Sequence, residues 1–359
     1  MVIISDSDIA FLREHGYVVV PSVMTDEECD AVRDMLEEET MTAYGLKSRK
    51  ELRDKLDYIM WRNQKVANLQ GRAVWTVRTH PKVEELYQQI WFGLLNIDGA
   101  IPLHPEISAH GDIELTTSLD GFMLSNDTAY KSSGKFWTKG KKGWLHSDQC
   151  KNHAVPPECR DATEACVQGQ LLLQDADDKN AGFACLRGSH KHWAEACALF
   201  GDSLPDKSYW NPLTDAMFNW YTQEKGCEHV KIACPKGGMI LWFSCLMHSG
   251  SEASRAAAPV TVDAAGQKLY RGRAMVFCSQ TPKFFSSGKN WSLRSRAFYE
   301  NYGTNHWTYG EGMTLNGRTP MGPKFKSMLR PDHTVVPPFS FDAEQQQELH
   351  ERQQRLLFG

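Results

Sequence analysis

Gly143-Trp144-Leu145-His146-Ser147-Asp148-Gln149 sets an imidazole and a carboxylate two residues apart. In an extended strand, side chains at i and i+2 leave the same face, so His146 and Asp148 are spaced to grip one cation. A third ligand has to come from elsewhere in the chain. The candidate is His248, at the end of Leu241-Trp242-Phe243-Ser244-Cys245-Leu246-Met247-His248. Two histidines and one carboxylate on one face of a metal leave its other face open. That arrangement suits ferrous iron that takes a chelating co-substrate and then O2. A His-x-Asp on its own is a weak signal, because two polar residues at a strand end give the same letters. Its surroundings decide.

Those surroundings read as short strands parted by Gly and Pro turns. Residues 166–173 read as a buried strand, 175–182 as a turn and 183–186 as another strand, closed by Arg187-Gly188-Ser189-His190-Lys191. Residues 229–234, the turn Pro235-Lys236-Gly237-Gly238 and residues 239–243 then lead to His248, and 269–280 reads as the last core strand. The pattern predicts a mainly β protein with flanking helices, its core a cupin-like jelly roll or double-stranded β-helix. No GxGxxG or GxxxxGK[ST] motif points to dinucleotide or P-loop chemistry.

Outside this core, residues 6–15 read as a helix closed at Gly16, and Tyr17–Val20 as a strand stopped by Pro21. Thr25-Asp26-Glu27-Glu28 fits a capping box and opens a helix to about Glu39, with Cys29, Val32, Met35 and Leu36 on one face. Residues 40–80 are mixed and polar. Pro81 to about Leu95 has helical spacing of Val83, Leu86, Ile90 and Leu94. Residues 96–142 are loop-rich, with a strand candidate at 121–125. Residues 251–268 are an Ala- and Ser-rich loop, 283–335 lack periodicity and 342–357 read as a polar helix. With no repeat and no linker, residues 1–359 read as one domain. It has a helical part over about 1–95, a jelly roll over about 115–282 and an irregular and helical part over 283–359.

Composition narrows the partners. The chain has 359 residues, 41% apolar and 23% charged, with a net charge of −4. Such a balance suits a packed core and gives no overall attraction to nucleic acid or anionic membrane. No apolar run is long enough to span a bilayer, and the first residues lack a basic and then apolar leader. The ten cysteines contain no CxxC pair and read as reduced core residues, which points to the cytoplasm. One stretch is locally basic: Lys131, Lys135, Lys139, Lys141 and Lys142 surround Phe136 and Trp137 just before the His-x-Asp. It reads as a solvated loop or as a rim that draws in an anionic substrate. His153, in a Pro-rich stretch, reads as exposed, and His190 as a residue that orders its own loop.

The central segment resembles the phytanoyl-CoA dioxygenase family of Fe(II)/2-oxoglutarate oxygenases. The resemblance rests on Gly143 to Gln149, Val167-Gln168-Gly169-Gln170-Leu171-Leu172-Leu173 and the run Gly182 to Lys191. It continues through Lys236-Gly237-Gly238-Met239-Ile240-Leu241-Trp242 on to His248, and the strand beginning at Arg273. Together these cover roughly residues 143–282, and the N-terminal helix, strand and capped helix also look like the start of this family. The resemblance implies Fe(II) held by His146, Asp148 and His248, with 2-oxoglutarate and O2 as co-substrates. It further implies a basic residue on the strand after the distal histidine to hold the far carboxylate of 2-oxoglutarate. A guanidinium matches a carboxylate bidentately, and Arg273 fits best, with Arg271 and Arg255 as alternatives. Ser125, Asn126, Gln168 and Gln170 are candidate co-substrate contacts, or ordinary sheet hydrogen bonds.

The implied reaction is hydroxylation of an unactivated C–H bond in a small organic substrate, with release of succinate and CO2. Asp148 as third ligand argues against halogenation, which needs a small residue there. Two alternatives remain at this point: an oxygenase that modifies a nucleobase or a protein side chain, and a catalytically silent binding protein of the same fold.

Overall fold

A computed structural model describes residues 3–62, 70–96, 113–125, 142–251, 253, 261–262, 268–269, 272–299, 302–316 and 343–358. Its core is two five-stranded sheets. In chain order the strands are β1 (Tyr17–Val20), β2 (Phe122–Leu124), β3 (His146–Ser147), β4 (Val167–Leu172), β5 (Gly182–Arg187), β6 (Asn211–Pro212), β7 (Glu228–Ile232), β8 (Met239–Phe243), β9 (His248–Ser251) and β10 (Ala274–Phe277). Sheet one runs β1-β8-β4-β10-β2 and sheet two β6-β3-β9-β5-β7. Every pairing in them is antiparallel. This is the jelly roll that the strand-and-turn pattern predicts.

Strands β4 and β8 are buried at every position. A strand covered on both faces has no reason to alternate apolar with polar, and β8 reads as one continuous apolar run, whereas β4 carries the buried Gln168 and Gln170 within it. Their outer face is covered by helices. From α5 (Pro81–Asn96), Tyr87 Oη donates to the Cys278 carbonyl at 2.6 Å and Trp91 Nε1 to the Gln280 carbonyl at 2.7 Å. Gly169 of β4 faces this helix: a Cβ there would meet the Tyr87 hydroxyl, the Met239 methyl and the Cys278 carbonyl. Period-two alternation then turns Gln168 and Gln170 inward, toward the space between the sheets.

The N-terminal helices follow their caps. In α1 (Asp6–His15) Ser5 and Asp8 form a capping box, and the chain leaves through Gly16 at φ 83°, a left-handed turn that glycine enters without steric cost. In α2 (Asp26–Ala43) Thr25 and Glu28 form the expected box, and the helix runs four residues past Glu39. Cys29, Val32 and Leu36 are buried along its inner face.

Several sequence expectations are corrected. Residues 40–80, read as mixed, hold α3 (Arg49–Arg62) and α4 (Arg72–Arg78). The stretch 269–280 is not one strand. Lys268–Leu269 pairs with Thr261–Val262 in a separate hairpin, β10 holds only 274–277, and Gln280–Pro282 crosses to pair with Leu115–Thr117. Cys278 still donates its N–H to Gly169 of β4 at 2.9 Å, so the chain changes partner within two residues. Such switches make the corners of double sheets. The aperiodic region after 283 contains α6 (Gly288–Tyr299), whose buried side chains include Asn290, Arg294 and Ala297. Their spacing is helical but two of the three are polar, so the apolar period is missing. The polar C-terminal helix is α7 (Ala343–Phe358), and its Leu356 and Leu357 are buried.

All ten cysteines are free thiols and all are buried except the half-buried Cys197, as their apolar contexts predict. Among the described residues no helix is long and apolar enough to cross a membrane.

Candidate metal centre

His146 on β3 and His248 on β9 are direct register partners across two antiparallel strands. Their rings lie 4.6 Å apart between centroids. Asp148 follows β3 immediately, and its N–H donates to the Ser244 carbonyl at 2.9 Å. Its Oδ2 stands 3.1 Å from His248 Nε2 and 3.6 Å from His146 Nε2. All three residues are buried, and their ligand atoms lie within 4.8 Å of one another.

The second nitrogen of each ring fixes its orientation. His146 Nδ1 donates to the Trp144 carbonyl at 3.1 Å, and His248 Nδ1 to the Leu246 carbonyl at 2.8 Å. A nitrogen that gives its proton to a carbonyl leaves the other nitrogen with its lone pair, so both Nε2 atoms point lone pairs at the Asp148 oxygen. Three electron-rich atoms converge on one buried point, and only a cation or a proton makes that favourable. Donors about 2 Å from a metal and at right angles to one another stand about 3 Å apart, close to the separations found here. The residues therefore fit a divalent metal.

The same electrostatics show in the protonation equilibria. Burial pulls the His146 imidazole down, but the neighbouring Asp148 carboxylate outweighs it and the net shift is upward. Burial pushes Asp148 up, yet His146 and His306 together hold it well below the usual carboxylate range. Burial lowers His248.

A cavity of about 510 Å³ opens on this centre. Sheet one contributes Gln168, Gln170 and Trp242 to its wall, and sheet two Phe183. Gln168 Nε2 donates to Asp148 Oδ2 at 3.3 Å, bridging the two sheets at the ligand itself. Phe183 stacks on the His248 ring at 5.7 Å and 21°, and Trp242 lies 5.2 Å from it. These rings give the cavity an apolar wall beside His248.

Arg273 lines the cavity just ahead of β10. Its Nη2 donates to Gln170 Oε1 at 3.1 Å, and its backbone N–H to the Ser125 hydroxyl at 3.0 Å. Gly250 of β9 lies under the guanidinium, which a Cβ at that position would strike. Of the residues singled out in the sequence, the structure thus brings together His146, Asp148, His248, Gln168, Gln170 and Arg273, with Ser125 one step behind. Asn126, Arg271, Arg255, Lys131, Lys135, Lys139 and Lys141 lie outside the described residues. Lys142 is engaged with Asp215 at 2.9 Å.

His190 orders its loop as expected, through Nε2 to the Arg13 carbonyl at 2.9 Å. His153 is not exposed. It is half-buried against Trp307, at 4.2 Å, and hydrogen-bonded to the Tyr209 and Tyr309 hydroxyls, and burial brings its pKa down to about 4.

Sequence reasoning missed the segment 304–314. Trp307 Nε1 donates to the Asp148 carbonyl at 2.8 Å, and His306 Nδ1 stands 4.0 Å from Asp148 Oδ2. Thr304, Asn305 and Thr314 line the same cavity. So do Asp120, Lys207 and the half-exposed Trp210. None of these sits in a periodic pattern or at a motif spacing, so only tertiary placement reveals them.

The family model described as phytanoyl-CoA dioxygenase (PhyH) matches residues 12–258. No curated protein matches the sequence. Among solved structures the chain is similar to the epimerase SnoN in complex with Fe3+, alpha ketoglutarate and nogalamycin RO. The identity is 14%, over 77% of this chain and 83% of that one, with a TM-score of 0.41. It is similar to EctD from S. alaskensis with 2-oxoglutarate and 5-hydroxyectoine, at 14% identity over 78% and 76% and a TM-score of 0.42. It is also similar to HygX from Streptomyces hygroscopicus with iron bound, at 12% identity over 79% and 88% and a TM-score of 0.41.

Proposed function

The chain belongs to the phytanoyl-CoA dioxygenase family and is a 2-oxoglutarate-dependent non-haem iron dioxygenase, and from that premise we propose that it hydroxylates an unactivated C–H bond of a small organic substrate, releasing succinate and CO2. The observation that carries this is the buried meeting of two Nε2 lone pairs and one carboxylate oxygen at the base of an open cavity, with an arginine at the same cavity from the other sheet.

When bound, iron and 2-oxoglutarate would supply the oxidising chemistry with O2. The chain's part is binding, orientation and exclusion of water. His146, Asp148 and His248 would hold the iron, each imidazole fixed by a carbonyl two residues back. Gln168 keeps the Asp148 carboxylate turned toward the histidines. Arg273 would take the far carboxylate of 2-oxoglutarate through its two-pronged guanidinium, and its bond to Gln170 orients it in advance. Phe183 and Trp242 would limit water beside His248 once substrate fills the cavity.

Substrate would enter past Trp210, and Lys207 at the same cavity makes no ion pair among the described residues, which favours a substrate with an anionic group. The volume of about 510 Å³ suits a small molecule.

The test is an anaerobic titration of metal-free protein with Fe(II) and then 2-oxoglutarate, watching the visible metal-to-ligand charge-transfer band. The parent should give the band, His146→Ala should lose it, and Arg273→Ala should need much more 2-oxoglutarate to reach it. A parent without the band would remove this reading and leave a binding protein of the same fold.

A further inference from the structure

Two opposite charges line the cavity beside the centre and take no part in holding the metal or, on the reading above, 2-oxoglutarate. Asp120 stands just before β2, the edge strand of sheet one. Lys207 stands in the loop leading to β6, the edge strand of sheet two. The metal-capable cluster among the described residues is His146, Asp148 and His248, and Asp120 is not in it.

We propose that the substrate is a zwitterion of the amino-acid type, its ammonium group read by Asp120 and its carboxylate by Lys207. This rests on the cavity being the dioxygenase site.

The surroundings of Asp120 suit an incoming ammonium group. Its Oδ1 accepts the Gly121 N–H at 2.7 Å, and among the described residues its carboxylate accepts no other hydrogen bond and makes no salt bridge. The buried Arg78 behind it gives Nη2 to the backbone carbonyl of Asp120 instead. The chain thus fixes the backbone and leaves one carboxylate oxygen for something else. Burial raises the Asp120 pKa, opposed first by His306 and also by Arg78, while Asp148 adds to the rise. A carboxylate that is partly desolvated and incompletely compensated gains from an incoming ammonium. His306 is turned to Asp148, with Nε2 3.4 Å from its carbonyl, so it does not fill that role. Lys207 is exposed and makes no ion pair among the described residues, as an anchor for a small anion requires.

A structural reading of Asp120 exists, as the acceptor that turns the chain at Gly121. Asparagine keeps that acceptor and removes only the charge, so Asp120→Asn separates the two readings.

The experiment uses the full chain loaded with Fe(II) and 2-oxoglutarate. The charge-transfer band is recorded first for parent and variants. The probes are the protein L-α-amino acids, each also as its Nα-acetyl and its carboxamide form, and the readout is substrate-dependent succinate release in O2. At least one free amino acid should accelerate release, with both masked forms weaker by about tenfold or more in kcat/KM. Asp120→Asn should lose about tenfold toward the free amine and narrow its advantage over the acetylated form. Lys207→Met should do the same for the carboxylate against the carboxamide. A normal band with no response to any free amino acid overturns the proposal. So does equal use of masked and free forms, or an Asp120→Asn variant that discriminates like the parent. A parent with no band at all defeats the cofactor reading itself, a distinct result.

Discussion

At the scale of single residues, Gln168 is the side chain that most directly tests how the centre is held. It reaches from one sheet to the other and gives its amide to Asp148 Oδ2 at 3.3 Å. Removing a partner that orients a metal ligand costs about 10- to 100-fold in metal affinity. Gln168→Ala should therefore weaken Fe(II) binding by that factor, measured anaerobically by competition with a chelator, while the circular dichroism of the sheets stays the same. An unchanged constant would mean that Asp148 keeps its orientation through its backbone bonds to Ser244 and Trp307 alone. The ligands themselves were legible because their spacing is a property of strands: His146 and Asp148 are one pleat apart, and His248 ends an apolar run. Arg273 was legible only by resemblance. Asp120, His306 and Trp307 were not legible at all. Each acts through a neighbour more than a hundred residues away, or through a cavity wall, and no local pattern encodes such a meeting.

Among elements, the meeting of α2 and α4 carries a pH dependence. Helix α4 begins after Gly71, which has no side chain to cap it. The missing cap comes from α2: Glu39, 2% exposed, accepts the Ala73 N–H at 3.2 Å. Burial raises the Glu39 pKa to about 7 from 4.5, against the pull of the Ala73 and Arg72 N–H groups. An acid with a raised folded pKa favours the native state at low pH, and that advantage is lost as pH rises through about 7. Glu39→Gln keeps an acceptor and removes the titration. The stability difference should move in favour of the variant by roughly 2 to 3 kcal/mol between about pH 5 and about pH 8, read from denaturant midpoints. A difference flat in pH would show that Glu39 is not buried as an acid. The same place shows why elements were missed. Helix α2 announces itself by a capping box in its own sequence, whereas α4 borrows its cap from another helix. Strand β10 ends where Cys278 holds to one partner and Gln280 takes another, a change that no Gly or Pro turn marks in the sequence.

For the whole molecule, the family match ends at residue 258, yet Arg273, β10 and the segment that touches Asp148 all come later. The chain after the match is fastened by Arg294 of α6, which is fully buried and donates Nε to the Leu357 carbonyl at 2.6 Å and Nη2 to the Leu356 carbonyl at 2.7 Å. These are the free carbonyls at the end of α7, which a guanidinium suits in both hydrogen bonding and dipole. Burial brings the Arg294 pKa down to about 9, so the cation survives at neutral pH. Arg294→Met should lower stability by roughly 2 to 3 kcal/mol and expose α7 to limited proteolysis. An unchanged protease pattern would mean that Leu356 and Leu357 hold the helix by packing alone. The jelly roll was legible because its strands alternate with strong turn signals, but its C-terminal closure was not, since polar side chains make it. One feature of the centre reaches beyond chemistry. Strand β3 has two residues and meets β9 through the one pair His146 and His248, while its other neighbour, β6, offers Pro212, which has no N–H to give. An ion held by that pair would be the rivet of a short seam whose other bonds lie at its flanks, such as the Leu213 N–H to the Leu145 carbonyl and the Asp148 N–H to the Ser244 carbonyl. A cell short of iron would then not merely hold an idle stock of this protein: the unriveted chain would open more often, reach proteases sooner and fall in abundance, so that supply of the metal would set how much of the protein exists.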